Sequence, residues 1–383
     1  MSVSGVPADA PGLKSSPHIF AEGRIGSLTV ANRTIVAPLT RTSATPEGLV
    51  TQPMVNYYEE FAKGGWGVVY TEAAYIDLAY SQGYNDQPGI ANDAQARSWK
   101  PVVDACHKAG APIFMQIFHG GAINQGNYWK VGSIAASPVQ PKGEQIDRYG
   151  GSGPFQTPRE ITRDEMRQVV ADFASAAKRA VEIGFDGIEV HGANGYLPDQ
   201  FLTAHTNLRT DEYNGSIENR VKFHVEIMEA VRAAVPDKPV GVRISETKVN
   251  DHTYDWPGGV ADAEVIFGKI AATGIDFIHV SAHRGAIPVY GQPLSLAGLA
   301  KKFGGITIIG NGKLHEPELA ESLLAKGEFD AFAVGKGALA DPAWPRKIAM
   351  GEEPIPFDPG MVSPLATIAN TSAWRAKQAQ AAE

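Results

Sequence analysis

Gly187-Ile188-Glu189-Val190-His191-Gly192-Ala193-Asn194-Gly195-Tyr196-Leu197 is the stretch on which the reading of this chain turns. Ile188 and Val190 are the apolar positions of a short buried strand. The strand then breaks into a glycine-bearing loop that presents an imidazole, an amide and a phenol: His191, Asn194 and Tyr196. Two of these can donate hydrogen bonds to an oxygen that gathers charge, and the third can deliver a proton. Taken alone, the same pattern also describes an ordinary loop between strand and helix, with a capping Asn and a packed Tyr.

Working outward, the strand-then-helix rhythm recurs. Continuous apolar runs at 34–40, 67–74, 112–118, 187–190, 239–245, 277–281, 307–310 and 330–335 read as strands with both faces buried. Helical segments follow them. One spans 52–63 and stops at Gly64-Gly65; one is capped by Asp93 and runs to Lys108; one opens on the capping box of Thr162 and Glu165 and ends before Gly184. Eight such units predict a single α/β chain folded as a (β/α)8 TIM barrel. An open doubly wound sheet is the alternative, but no Gly-x-Gly-x-x-Gly follows the first strand. Residues 1–17 read as a loose, flexible tail, 18–350 as the barrel, and 351–383 as a C-terminal extension, helical near 372–382. A hairpin at 19–30 reads as a lid on the barrel bottom. Residues 120–163, after the third strand, form a long Gly-, Pro- and Ser-rich excursion over the mouth.

Composition sets the remaining bounds. Of 383 residues, 43% are hydrophobic and 20% charged, an ordinary globular balance. A net charge of −8 points away from nucleic acid. No apolar run reaches the ~18 residues of a membrane span, and no apolar leader precedes residue 18. Cys106 is the one cysteine, so neither an intrachain disulfide nor a cysteine metal cluster is expected, which fits a cytoplasmic setting. Cys106 itself reads as packing.

In such barrels chemistry collects at the C-terminal ends of the strands. Those ends read Pro38-Leu39-Thr40, Ala73-Ala74, Gln116, His191 with Asn194, Arg243, Ser281, Asn311-Gly312 and Gly335-Lys336. Two glycine turns at adjacent strand ends, one with Lys336, suit a phosphate, although glycines also simply make tight turns. Arg243 in an apolar strand needs either a ligand anion or a barrel carboxylate. Gln116 either pairs with an imide edge or satisfies a backbone group.

These residues resemble the Old Yellow Enzyme family of FMN-dependent ene-reductases. The matching elements are Asn32-Arg33 with Ala37-Pro38-Leu39-Thr40-Arg41; Gln116; His191-x-x-Asn194-x-Tyr196-Leu197 with Gln200-Phe201-Leu202; Arg209-Thr210-Asp211-Glu212-Tyr213; Gly215-Ser216-Ile217-Glu218-Asn219-Arg220; and Arg243. The resemblance implies FMN, with Pro38, Leu39, Thr40, Ala74 and Gln116 at its ring and Arg243 beside N1 and O2. It places the phosphate at Asn311, Gly312, Gly335 and Lys336. It implies NADPH or NADH as reductant, and ping-pong hydride transfer through flavin N5 to the activated C=C of an α,β-unsaturated carbonyl or nitro compound. His191 and Asn194 would grip the substrate oxygen, Tyr196 would donate the proton, and Tyr84 and Phe118 would line the pocket. No metal, nucleic acid or membrane partner is implied; a monomer or homodimer is. Competing readings keep the FMN barrel for nitrate-ester reduction or small alcohol or amine oxidation, or make it a non-redox sugar-phosphate enzyme. Lysine at 336, where arginine is common in the family, loses a bidentate fork. Trp374 packs either on a neighbour or on the flavin edge.

Overall fold

The computed structural model describes residues 3 and 5–381. Eight parallel strands form the barrel: β1 (Thr34–Val36), β2 (Val68–Tyr70), β3 (Ile113–Phe118), β4 (Gly187–His191), β5 (Val240–Ser245), β6 (Phe277–Ser281), β7 (Thr307–Asn311) and β8 (Ala331–Val334). Each pairs with the next, and β8 pairs with β1, so the sheet closes on itself. Closure removes every strand edge. It also buries both faces, which is why the strands are continuous apolar runs.

The hairpin Gly23–Ile25 and Leu28–Val30 plugs the bottom. Ile25 and Val30 pack with Ile35, Val68, Phe114, Phe277 and Ile309 inside the barrel. Two strand glycines make room for this floor. A Cβ on Gly187 would come within 2.6 Å of the Phe114 ring, and one on Gly241 within 2.4 Å of Phe277.

The outer helices follow their sequence signals with a few departures. Arg163–Ile183 carries the expected capping box and ends at Gly184, φ 111°. The helix expected from Asp93 is capped instead by Asn92, whose side chain accepts from the Gln95 N–H. It breaks at Trp99 because Pro101 needs the first turn of a new helix, Lys100–Lys108. The ladder of β1 stops at Val36, short of Thr40, since Pro38 brings no N–H. The second strand splits as well: Ala74–Tyr75 rejoins the sheet beside Ile117 and Phe118.

Two terminal segments differ from expectation. Of the expected loose tail, Met1, Ser2 and Ser4 lie outside the described residues, but the remainder packs. Val3, Val6 and Ala10 are buried, and Gly12 of the helix Pro11–Ser15 lies so close to the Ile348 carbonyl that a Cβ would sit 1.8 Å from it. Apolar side chains at these spacings find a groove that composition alone does not reveal. At the other end, the helix Ile368–Ala381 starts four residues earlier than read. Trp374 lies against Gly360 of its own C-terminal segment. Arg41 ties this segment down, donating to the carbonyls of Ala366 (2.9 Å) and Thr367 (2.7 Å) and to the Thr371 hydroxyl (2.6 Å).

Candidate active site

Alternation along β4 decides what enters the mouth. Ile188 and Val190 face the helices, while Glu189 and His191 point into the barrel. After His191 the chain passes between His224 and Val242, where only Gly192 fits. His224 Nε2 bonds the Gly192 carbonyl at 2.8 Å. Asn194 takes a left-handed φ of 64°. Its N–H is held by Ser245 Oγ at 2.8 Å and its carbonyl by the Val249 N–H at 3.1 Å. Asp199 accepts the Gly195 N–H at 2.7 Å and Gln200 donates to the Gly195 carbonyl at 2.7 Å. The loop is therefore fixed through its backbone, and among the described residues the Asn194 side-chain amide makes no hydrogen bond.

His191 is buried, and burial together with the Arg243 charge holds its pKa well below the ordinary range, so the ring is neutral at pH 7. The Ala193 N–H donates to its Nδ1 at 3.4 Å, which leaves the proton on Nε2. The imidazole is thus an uncharged donor on the same loop as the Asn194 amide. Tyr196 packs edge-on against His191 with ring centroids 4.7 Å apart, and against Phe118 at 4.5 Å. Its hydroxyl meets that of Tyr84 at 2.5 Å. Burial raises the Tyr196 pKa, and the hydrogen bond from Tyr84 works against that rise. Tyr84 and Phe118, read from sequence as pocket residues, pack with Tyr196 in one aromatic cluster.

Arg243 is also buried. Its Nη2 donates to Ser281 Oγ at 3.1 Å and Asn311 Oδ1 at 3.5 Å, and its Nε has no partner among the described residues. No carboxylate lies within ion-pair distance of it among those residues, so the expected alternative of a direct salt bridge to a barrel carboxylate does not hold. A buried guanidinium with an unused N–H fits an anionic or carbonyl-bearing ring at the mouth. Gln116 gives its N–H to Glu189 at 2.6 Å, leaving its carbonyl oxygen without a hydrogen bond among the described residues. Pro38, Leu39 and Thr40 leave β1 half-exposed at the same rim.

Two expected positions, Ala74 and Gly312, sit differently. Ala74 is wholly buried in the layer between barrel and helices, and its neighbour Ala73 packs with Tyr84, Phe118 and Tyr196. Alternation places Ala73, not Ala74, on the site side. Gly312, φ 122°, is crossed by the loop after β6: its carbonyl accepts the Gly285 N–H at 2.9 Å, and a Cβ would meet the Ala282 carbonyl at 2.3 Å. Lys336 is exposed at the start of the short helix Lys336–Ala340, its ammonium 5.3 Å from the centre of the Phe357 ring. Asn311 donates to the Ala333 carbonyl at 2.9 Å, and a Cβ on Gly335 would touch the Leu39 side chain at 3.4 Å, an ordinary contact.

Sequence reading missed Tyr149, which comes from the excursion to pack 4.9 Å from Tyr84. It also missed the buried Glu189 and His279, and Glu72. Glu72 accepts the Arg41 N–H at 2.8 Å, and burial pushes its pKa up to about 7. Glu189 stood in the opening stretch at the inward phase of β4, so that alternation was the available signal.

Comparison with known proteins identifies the family. The profile of the NADH:flavin oxidoreductase / NADH oxidase family matches residues 18–354. A putative 12-oxophytodienoate reductase 2 of Oryza sativa subsp. japonica is 35% identical over 345 residues, 89% of each chain. The NADH oxidase of Thermoanaerobacter brockii is 34% identical over 352 residues, but the chain spans only 51% of its length. A solved structure of morphinone reductase in complex with tetrahydroNAD superposes with a TM-score of 0.81 at 32% identity, covering 93% of this chain and 96% of that one. The Old Yellow Enzyme homologue from Zymomonas mobilis gives 0.78 at 31%, with 89% and 95% covered. The chain is a flavin oxidoreductase belonging to the NADH:flavin oxidoreductase / NADH oxidase family, the Old Yellow Enzyme family.

Proposed function

We propose that this enzyme reduces the activated C=C bond of α,β-unsaturated carbonyl or nitro compounds at the expense of NADH or NADPH. The observation that carries the reading is the neutral His191, packed against Tyr196 and sharing one backbone-fixed loop with Asn194. Relatives named as reductases of 12-oxophytodienoate and of morphinone agree with it.

FMN, when bound, would supply the redox chemistry, hydride transfer between a nicotinamide and the substrate's β-carbon. Arg243, Gln116, Thr40 and the rim residues Pro38, Leu39 and Ala73 would hold its ring; Asn311, Gly335 and Lys336 would serve its phosphate. His191 and Asn194 bind the substrate oxygen and stabilise the negative charge that gathers there as the β-carbon is reduced, an effect of about 2.7–4 kcal/mol per donor at comparable sites. A neutral imidazole still has one N–H to donate, and burial beside Arg243 disfavours the charged form. Tyr196 gives its hydroxyl proton to the α-carbon, and Tyr84 stabilises the phenolate left behind. Tyr84, Phe118 and Tyr149 exclude water from one side of the pocket.

The test is anaerobic reduction followed by single-turnover mixing with 2-cyclohexenone. Tyr196→Phe should slow the second step at least tenfold and leave NADPH bleaching of the flavin unchanged. Equal slowing of both steps removes the proton-donor role. A protein that neither binds FMN nor bleaches removes the redox reading.

A further inference from the structure

One layer below the mouth, inside the barrel, lies a buried carboxylate that the reading above does not use. Glu189 is 0% exposed. One of its oxygens accepts from Gln116 Nε2 at 2.6 Å and the other pairs with His279 Nδ1 at 2.8 Å. His279 is equally buried, and burial lowers its pKa, so it is a neutral imidazole donating through Nδ1. Its Nε2 has no partner among the described residues. Both Glu189 oxygens thus accept, and neither partner carries charge. A buried anion held only by neutral donors is costly, and the nearest compensation is a cation in the same enclosure.

That cation is Arg243. In strand register His279 lies opposite Arg243, and Glu189 lies opposite Gly241, two residues below Arg243. The guanidinium makes its own bonds elsewhere, to Ser281 and Asn311. Glu189 and Arg243 therefore act on each other through space, within a wall that excludes water, where charges are weakly screened.

We propose that Glu189 is a charge-balancing residue of the flavin site: it offsets part of the Arg243 charge and holds the reduction potential of bound FMN below the value Arg243 alone would set. Reduction adds negative charge to the ring, which Arg243 favours and Glu189 opposes. The same carboxylate turns the Gln116 amide so that its N–H faces down and its carbonyl oxygen is left free. The proposal rests on FMN lying beside Arg243.

The experiment measures the two-electron midpoint potential of the FMN-loaded enzyme for wild type and Glu189→Gln. The variant is isosteric and keeps both hydrogen bonds once His279 moves its proton to Nε2. An FMN titration of the wild type comes first: failure to bind would sink the cofactor reading itself. Given binding, Glu189→Gln should raise the potential, with each tenfold gain in relative affinity for the reduced cofactor appearing as about 30 mV. An unchanged or lowered potential overturns the proposal. If that variant yields no folded holoenzyme, His279→Gln reads the same arrangement, because it replaces one neutral donor by another. Its potential should match wild type. A clear drop would mean that His279 is an imidazolium already cancelling Glu189, and would overturn the proposal equally.

Discussion

Replacing Lys248 by methionine isolates the ion pair that holds the site loop. Lys248 Nζ lies 2.7 Å from Asp199 Oδ1, with the two side chains 3% and 0% exposed. The other Asp199 oxygen holds the Gly195 N–H, and the Lys248 backbone bridges to Asn194. Methionine fills most of the lysine's volume, so packing changes little. The change instead leaves Asp199 buried with its cation gone. Removing one partner of a buried pair costs about 3–5 kcal/mol. The lost contact between the ammonium and the Tyr254 ring, 4.9 Å away, acts in the same direction. Against a total stability of about 5–15 kcal/mol this is a large fraction. At an m-value of about 3 kcal/mol/M, the urea midpoint should fall by ~1 M or more. Lys100→Met is the control: its Asp104 pair has side chains 54% and 59% exposed, and such pairs are worth roughly 0–1 kcal/mol. The double variant Asp199→Asn/Lys248→Met removes both charges and keeps an acceptor for Gly195, so it should be more stable than Lys248→Met alone. With Asn194 displaced, turnover on an enone should fall by about tenfold to a hundredfold. A Lys248→Met midpoint no lower than that of Lys100→Met, or a double variant no better than the single, would refute this reasoning.

Acid should destabilise the fold from pH 6.5 downward. His119, His191, His224 and His279 are all held below their ordinary pKa by burial. Below 6.5 the unfolded chain binds protons that the native state does not, so stability falls with pH, by up to about 1.4 kcal/mol per unit for each histidine that stays neutral. Glu72, near 7 in the fold, opposes this between pH 7 and 4.5, because there it is protonated native and ionised unfolded. Urea midpoints at pH 7 and 5.5 check the balance, and a higher midpoint at 5.5 would contradict it. Tyr84→Phe removes the hydroxyl 2.5 Å from that of Tyr196; alkene reduction should slow several-fold, less than in Tyr196→Phe, in single-turnover mixing. Gly241→Ala pushes a methyl to within 2.4 Å of the Phe277 ring, and thermal or urea unfolding should show a loss of about 1–3 kcal/mol.

Much of this architecture is local, and so was legible in the chain. Each strand is a short apolar run and each helix starts or stops at a named residue, such as Thr162, Gly184 or Gly65, because caps and turns depend on a few neighbouring residues. Eight such units with short connections leave few ways to bury both faces of a parallel sheet. His191, Asn194 and Tyr196 share one loop, so their convergence was also local. What only the tertiary structure decided depends on contacts between distant segments. Ala73 rather than Ala74 faces the site because a break after Tyr70 resets the alternation. The supposed tail packs because Gly12 and the backbone of Ile348, over three hundred residues apart, fit together. Tyr149 reaches Tyr84 only through the fold of a 44-residue excursion (120–163). Gln116 meets Glu189 and His279 only because strand closure sets their register. Side-chain charge and hydrogen-bonding state are properties of that enclosure: the same imidazole that titrates near 6.5 in water is a neutral donor at position 191 because burial and Arg243 both resist its protonation.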